Sequence, residues 1–273
     1  MTAIALTIAG SDSGGGAGIQ ADLKTFSALG VYGASVLTAV TAQNTRGVFA
    51  IEDLSPGIVA AQIDAVLSDL PVGAIKVGMV SRTETIRAIA ERLRAHGHLA
   101  VVDPVMVATS GDRLLREEAI AALSAELLPL ALVATPNLHE AALLTGRDQA
   151  GDEGEMERQG RAILAMGARA VLVKGGHGTG EHSVDLLVGP DGTQRLTAPR
   201  LATRNDHGTG CTLAAAIAAH LARGLALGEA VGAAKAYLTA ALREASSLTV
   251  GHGRGPVHHF HAWWPAGPKG DRA

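Results

Sequence analysis

Short apolar runs that alternate with longer helical patterns constrain the fold of this chain more than any other feature. The runs lie at Ile4–Ala9, Ser35–Ala42, Ala74–Val77, Leu99–Val102, Ala131–Ala134 and Ala170–Val173. Segments of helical periodicity between most of them lie at Ile19–Leu29, Gly57–Leu70, Thr83–His96, Glu117–Leu127, Leu138–Leu144 and Met156–Met166. Because strands that are connected through helices pair in parallel, the pattern predicts an α/β fold: a mostly parallel central sheet with helices on both faces.

The alternation ends after Lys174. The runs Val184–Val188 and Gln194–Thr197 flank a Pro-Asp-Gly turn signal, which predicts a small hairpin at one edge of the sheet. Two Ala-rich helices are then expected at about Gly208–Arg223 and Gly228–Ser247.

The chain shows no internal repeat and no break in composition. We therefore predict one domain over residues 1–261. Residues 262–273 contain two prolines and two glycines and are predicted to form a flexible C-terminal tail.

Composition limits the classes of function. Hydrophobic residues make up 47% of the 273 residues but aromatic residues only 3%, so the core must consist of small aliphatic side chains in close backbone contact. A net charge of −3 with mixed signs provides no basic stripe, which argues against nucleic acid and favours small-molecule partners. A single cysteine forms no internal disulfide, so a reducing cytoplasm is the expected location. The run Thr2–Ala9 lacks the basic flank of a signal peptide and the length of a membrane span.

The segment Asn205–Thr212, followed by the apolar run Leu213–His220, resembles an anion cradle. Gly208 and Gly210 allow the backbone to turn so that several N–H groups point one way, at the positive end of a helix that begins there. The same field is expected to lower the pKa of the Cys211 thiol. A buried cysteine at a glycine-rich helix start is the simpler alternative.

Further polar residues follow other strands. The glycine-rich stretch Gly10–Gly18 opens a helix without a Walker A pattern, and it either admits a flat substrate or is only a flexible turn. Gln43 suits the edge of an aminopyrimidine, and Met79 can pack on a ring, although solvation of a surface would also explain the glutamine. Asp103 and Glu140 could hold hydrated Mg²⁺ beside a triphosphate, or Glu140 could instead be half of a helix-capping pair.

A set of eight segments, taken in order, makes the resemblance specific over roughly residues 3 to 260. They are AGSDSGGGAGIQADLKT from Ala9, TAVTAQNT from Thr38, KVGM from Lys76, DPVMVATSG from Asp103, TPNLHEA from Thr135, KGGH from Lys174, HGTGCTLAAAIAA from His207 and GHGRGPVHHF from Gly251. Together they resemble the hydroxymethylpyrimidine/phosphomethylpyrimidine kinases of thiamin biosynthesis. The resemblance implies a ribokinase-like three-layer sandwich, ATP and Mg²⁺, and two successive phosphorylations of 4-amino-5-hydroxymethyl-2-methylpyrimidine.

The resemblance also implies roles for individual residues. Gln43 would hydrogen-bond the pyrimidine, and the residues around the substrate would be Gly10, Ala17, Asp22, Met79 and Val107. Lys174 would face the ATP phosphates. The anion hole would consist of Gly208, Thr209, Gly210 and Cys211, with Cys211 where the wider superfamily has an Asp base. Asp103 and Glu140 would serve the metal.

Three positions depart from the pattern of the family. Thr109 stands where Lys is frequent, which puts a phosphate role of that loop in doubt. Asp206 replaces a usual Thr and adds a negative charge beside the cradle. Gly14 replaces a frequent Ser.

Three other functions compete with this assignment. A pyridoxine or pyridoxal kinase would use the same fold on a similar hydroxymethyl heteroaromatic. A cysteine hydrolase would pair Cys211 with a histidine such as His207, but it would not need the accompanying glycine and metal-site residues. A noncatalytic pyrimidine-binding regulator would not need Lys174, Asp103, Glu140 and Cys211 intact. The expected partners are the pyrimidine, ATP and a second copy of the chain in a homodimer, with no membrane contact.

Overall fold

The computed structural model describes residues 1–106, 117–176 and 180–264. Its strands are β1 (Ile4–Ala9), β2 (Tyr32–Leu37), β3 (Ala39–Asn44), β4 (Gly47–Asp53), β5 (Ala74–Val77), β6 (Ala100–Val102), β7 (Ala131–Ala134), β8 (Val171–Lys174), β9 (His182–Gly189) and β10 (Gly192–Pro199). Its helices are α1 (Gly18–Ala28), α2 (Pro56–Leu67), α3 (Thr83–Ala95), α4 (Glu117–Ala122), α5 (Leu138–Thr145), α6 (Glu153–Ala165), α7 (Thr209–Ala222) and α8 (Leu227–Glu244).

The central sheet of the described chain has eight strands in the order β10-β9-β8-β7-β6-β5-β1-β2. The six strands from β8 to β2 in this order are parallel, whereas β9 runs antiparallel to both β8 and β10. The predicted parallel sheet is therefore present, and the predicted hairpin lies at its edge.

Alternating side chains of the strands pack on opposite faces of the sheet. In β1, Leu6 and Ile8 belong to a core with residues of α2, α3 and α6, whereas Ala5 belongs to a second core with residues of α1, α7 and α8. Helix α7 is buried from Thr212 to His220, and most of this stretch is alanine. Small side chains allow such close approach, which explains how a core with few aromatic residues is filled.

The prediction of one strand over Ser35–Ala42 is wrong. The chain leaves the main sheet at Thr38, whose N–H donates to Ala9 O at 3.0 Å and whose hydroxyl donates to Met79 O at 2.8 Å. Beyond this point β3 pairs with β4 in a separate antiparallel sheet. The connection Thr45-Arg46 carries no Asn-Gly or Asp-Gly signal, so local sequence did not reveal this hairpin.

The segment after α8 folds back onto the domain. Pro256 bridges to His207, His258 N–H donates to Ala241 O at 3.1 Å, and His259 Nε2 lies 3.1 Å from the Thr212 hydroxyl. Most of the predicted flexible tail, residues 265–273, lies outside the described residues. No helix in the described ranges is both long and apolar enough to cross a membrane.

Candidate active site

A cavity of about 590 Å³ lies at the carboxyl ends of the parallel strands, where ligands of such sheets bind. It collects most of the residues that the sequence indicated. Those lining it are Gly10, Ala17, Gln43, Met79, Asp103, Glu140, Lys174, Gly208, Thr209, Gly210 and Cys211.

The cradle forms at the start of α7 because Gly208 adopts a left-handed conformation, with φ of 79°. A Cβ atom at this position would lie 1.9 Å from Gly16 O, so only glycine fits between the two loops. Thr212 N–H is the first in α7 to bond within the helix, to Gly208 O at 2.8 Å. The N–H groups of Gly210 and Cys211 in the first turn therefore have no intrahelical acceptor and remain available for an anion.

The expected low pKa of Cys211 is wrong. Burial raises the pKa of the thiol to about 11, and the nearby charge of Lys76 offsets only part of this effect. The backbone N–H of Gly18 at the start of α1 also lowers this pKa. Desolvation exceeds these contributions, so the side chain is a thiol at neutral pH.

Lys174 and Asp103 form an ion pair inside the cavity. Lys174 Nζ lies 2.9 Å from Asp103 Oδ1, which also accepts from the Thr135 hydroxyl at 3.0 Å. Burial alone would raise the pKa of Asp103, but the charges of Lys174 and Lys76 lower it below its usual value. A Cβ added to Gly210 would lie 3.4 Å from Lys174 Nζ, so the ammonium group is adjacent to the cradle.

Glu140 is the capping partner of Asn137, and it also lines the cavity. Each side chain accepts from the backbone N–H of the other residue, at 2.8 and 2.9 Å, so the capping alternative is correct as a local description. Burial raises the pKa of Glu140 to about 7, although Lys174 acts in the opposite direction. A cation bound nearby would favour its ionised form.

Asp103 and Glu140 together fit a magnesium ion only in part. Their carboxylate oxygens are the ligands that Mg²⁺ prefers, and both side chains line the same cavity. In the described ranges, however, no group of three or more His, Cys, Asp or Glu side chains could hold a metal. The arrangement suits an ion whose remaining ligands are phosphate oxygens and water.

The cavity is also lined by Gln43 on β3 and by Met79 after β5. Met79 contacts Gly10 so closely that a Cβ on the glycine would lie 2.4 Å from Met79 Cε. The half-buried Gln43 side chain lies beside Thr41 and His207. The cavity thus offers an amide and a flexible thioether, two groups that suit a polar aromatic ring.

Asp22 does not reach the surface of the cavity. Its side chain is completely buried, and Oδ2 accepts from Lys76 Nζ at 2.8 Å and from the Thr7 hydroxyl at 2.6 Å. Lys76 lines the cavity in its place. Burial would lower the pKa of Lys76, but the negative charges of Asp22 and Asp103 raise it, so the lysine stays protonated. The sequence signal for this role was a lysine inside the short apolar strand Ala74–Val77, and it was not used in the prediction.

A second feature that was not predicted from the sequence is the contact between Asp12 and His207. Asp12 accepts from the N–H groups of Gly14, Gly16 and Ala17 at 2.8 to 3.0 Å and lies 3.0 Å from His207 Nε2. Asp12 thereby organises the glycine-rich loop, and His207 joins this loop to the cradle. The two residues are 195 positions apart, so no local motif connects them.

The departures from the family pattern have different outcomes. The negative charge of Asp206 is paired with Arg254, whose Nε donates to Asp206 Oδ1 at 2.8 Å. The predicted substrate residue Val107 and the departure at Thr109 lie outside the described residues.

Comparisons with known proteins match this chain to kinases. A family model described as phosphomethylpyrimidine kinase matches residues 12–258. A hydroxymethylpyrimidine/phosphomethylpyrimidine kinase of Rhizobium meliloti is 71% identical over 264 residues, which are 97% of this chain and 99% of that protein.

Two solved structures resemble the fold. The crystal structure of phosphomethylpyrimidine kinase from Clostridium difficile has 49% sequence identity and a TM-score of 0.77, covering 86% of this chain and 97% of that one. The ADP complex of Bacillus subtilis pyridoxal kinase has 37% identity and a TM-score of 0.89, covering 96% of this chain and 99% of that one. They confirm the predicted ribokinase-like fold.

Proposed function

The chain belongs to the phosphomethylpyrimidine kinase family, and we propose from this membership how its residues divide the work of the reaction. It is an ATP-dependent kinase that phosphorylates 4-amino-5-hydroxymethyl-2-methylpyrimidine and then the resulting monophosphate, for thiamin biosynthesis. The observation that carries the division of roles is the continuous cavity, which joins Gln43 at one part to the cradle and Lys174 at another.

Gln43 binds the aminopyrimidine edge, and Gly10, Ala17 and Met79 surround the ring. The close approach of Met79 Cε to Gly10 supports this role, because it places the thioether beside the glycine-rich loop in the same cavity. Val107 is proposed as a further substrate contact from the resemblance alone. Asp22 is proposed to act from behind the cavity by holding Lys76.

The cradle and Lys174 stabilise the transferred phosphoryl group. The N–H groups of Gly208, Gly210 and Cys211 would face its oxygens, and the Lys174 ammonium would add a point charge. The N–H of Thr209 donates to Asp206 O at 3.2 Å, so Thr209 is proposed as a nucleotide contact of the cradle from the resemblance alone. Mg²⁺, which Asp103 and Glu140 would hold, supplies neutralisation of phosphate charge. Phosphoryl transfer depends mainly on such positioning and charge, so these groups need no covalent step.

Cys211 receives the proton of the hydroxymethyl group in the first reaction. Its position among the cradle N–H groups supports this role, and Lys76 opposes the effect of burial on its thiolate. The acceptor of the second reaction is a phosphate that is already ionised near neutral pH, so this step needs the base less.

Two features of the protein stay predictions. The prediction of a cytoplasmic location rests only on the single cysteine, which forms no internal disulfide. A homodimer is supported by the apolar side chains of Val40, Phe49 and Ile51, which are exposed on the two-stranded sheet. Light scattering after size exclusion would test the dimer, and a mass equal to one chain would exclude it.

One assay tests the function and separates it from the related activity. The purified protein is supplied with MgATP and, in parallel, with the pyrimidine alcohol, its monophosphate and pyridoxine. We expect kcat/KM to be highest for the two pyrimidines. A higher kcat/KM for pyridoxine would make the chain a pyridoxine kinase. If none of the three compounds is phosphorylated, the assignment of the cavity is refuted.

A further inference from the structure

The segment Gly253-Arg254-Gly255 near the C-terminus lies between two elements that line the cavity. Gly253 is packed against the turn between β3 and β4, because a Cβ on this glycine would lie 2.0 Å from Thr45 O. Gly255 is packed against the loop before α7, because a Cβ there would lie 2.3 Å from Asn205 Oδ1. Arg254 therefore stands between the β3–β4 hairpin and the loop that leads into the cradle.

The backbone of this segment holds the β3–β4 hairpin. The N–H of Arg254 donates to Thr45 O at 2.9 Å, and the N–H of Gly253 donates to the Thr45 hydroxyl at 3.1 Å. Thr45 lies two residues after Gln43, the proposed contact of the pyrimidine. The position of the acceptor-binding strand therefore depends on the position of Arg254.

The side chain of Arg254 holds the start of the cradle. Its Nε donates to Asp206 Oδ1 at 2.8 Å, and its Nη2 donates to the other oxygen of the same carboxylate. Asp206 O in turn accepts from the N–H and the hydroxyl of Thr209, at 3.2 and 2.6 Å, in the first turn of α7. A guanidinium–carboxylate pair with two hydrogen bonds fixes orientation as well as distance. Both side chains line the cavity.

We infer that the ion pair between Asp206 and Arg254 sets the distance between the β3–β4 hairpin and the cradle, and thereby positions the acceptor for phosphoryl transfer. The inference rests on the proposed function, because it takes Gln43 as the acceptor contact and the cradle as the site of the transferred group. Both members of the pair are positioning residues. Asp206 replaces the Thr that is usual in the family, so this connection departs from the common pattern.

A loss of position can be separated from a change of charge, because the two members of the pair affect an anionic nucleotide in opposite directions. Without Arg254, the carboxylate of Asp206 would repel the phosphates of ATP. Without Asp206, the guanidinium of Arg254 would attract them. Removal of both side chains leaves the net charge unchanged. The connection between hairpin and cradle, in contrast, is broken in all three cases.

The test measures the KM for ATP, and kcat/KM for the pyrimidine alcohol at saturating MgATP, in wild type, Arg254→Ala, Asp206→Ala and the double variant. We expect the KM for ATP to rise in Arg254→Ala, to fall in Asp206→Ala and to stay near the wild-type value in the double variant. Activity on the alcohol should fall about tenfold or more in all three, because small misplacements of reacting groups can cost up to about 100-fold.

A second ion pair provides the matched control. Arg195 is about as exposed as Arg254 and makes two hydrogen bonds to Glu153, at 2.7 and 2.9 Å. This pair joins β10 to α6, and neither residue lines the cavity. Arg195→Ala should therefore leave both kinetic constants unchanged.

Amide hydrogen exchange tests the connection without catalysis. In the double variant the amides of β3 and β4 should exchange about tenfold faster than in wild type, and those of β5 at an unchanged rate. Exposed ion pairs contribute little to stability, so thermal denaturation should change little. Arg254→Lys keeps the charge but loses the paired geometry, and its intermediate loss keeps the test decisive if the alanine variants fail to fold.

Unchanged activity on the alcohol in the double variant, or unchanged exchange in β3 and β4, would overturn the inference. If wild type phosphorylates no acceptor, the proposed function fails, and hydrogen exchange still decides whether the pair holds the hairpin.

Discussion

Replacing Cys211 by alanine should separate the two phosphorylations that take place in this cavity. The thiol has its pKa raised to about 11, so at pH 7 only about one molecule in ten thousand carries the thiolate. A raised pKa means that the protonated form dominates at neutral pH and that the base form increases with pH. If the thiolate takes the proton of the alcohol, kcat/KM for the alcohol should rise about tenfold per pH unit between about pH 7 and 9.

Alanine removes this base but keeps the backbone N–H of residue 211 in the cradle. Activity on the alcohol should therefore fall about 100-fold or more, the usual effect of losing a general base, and its dependence on pH should flatten. The monophosphate has a second pKa of about 6 and is ionised above pH 7 without help from the enzyme. Its phosphorylation should lose less activity and should change little with pH.

The measurement is kcat/KM for each acceptor from pH 6.5 to 9, at saturating MgATP, in wild type and Cys211→Ala. Cys211→Ser provides a control that restores the size of the side chain without an accessible anion. Equal losses on both acceptors, or a steep pH dependence that survives in the alanine variant, would refute the role of Cys211 as a base. The residue would then be only a packing element of the cradle.

Four further changes test other parts of the structure. Gln43→Ala should raise the KM for the pyrimidine by an amount equivalent to about 1 to 3 kcal/mol and leave the KM for ATP unchanged; an unaltered pyrimidine KM would remove Gln43 from the site. Lys174→Met should slow both phosphorylations without unfolding the protein, and normal turnover would show that this strand end does not face the phosphates. Gly208→Ala places a Cβ 1.9 Å from a backbone oxygen and should reduce both activities about 100-fold, whereas Gly232→Ala in α8, where nothing lies within 4 Å, should not. Burial lowers the pKa of His259 to about 3, so between pH 7 and 5 the imidazole takes up a proton in the unfolded chain but not in the folded one. Acidification from pH 7 to 5 should therefore lower the free energy of unfolding by about 2 kcal/mol. Urea denaturation at both pH values should show a smaller decrease in His259→Gln than in wild type.

Elements with a strong local pattern were predictable from the sequence. The strands Ile4–Ala9, Ala74–Val77 and Ala131–Ala134 have the predicted bounds, and α7 begins one residue after the predicted glycine. Their signals are short apolar runs and glycine punctuation, which act through the nearest residues along the chain. The parallel order of the main sheet follows from the same alternation, because the connecting helices leave few other topologies.

Most of the candidate site was also predictable, because residues that follow parallel strands meet at one edge of the sheet. Asp103 and Lys174 line the cavity for this reason. Gln43 on the antiparallel β3 and Cys211 in the first turn of α7 line the same cavity, but they do not follow parallel strands. The residue types alone left the roles of these side chains open. The roles were implied by the ordered segments that the chain shares with the kinase family.

Tertiary structure decided the properties that depend on burial and on contacts distant in sequence. The strand expected over Ser35–Ala42 divides because Thr38 bonds to Ala9 and Met79, neither of which is a neighbour in sequence. Asp22 is turned away from the cavity by its pairing with Lys76. The pKa of Cys211 rises because desolvation outweighs the charge of Lys76, and a sequence pattern records the helix start but not the depth at which the sulfur is buried.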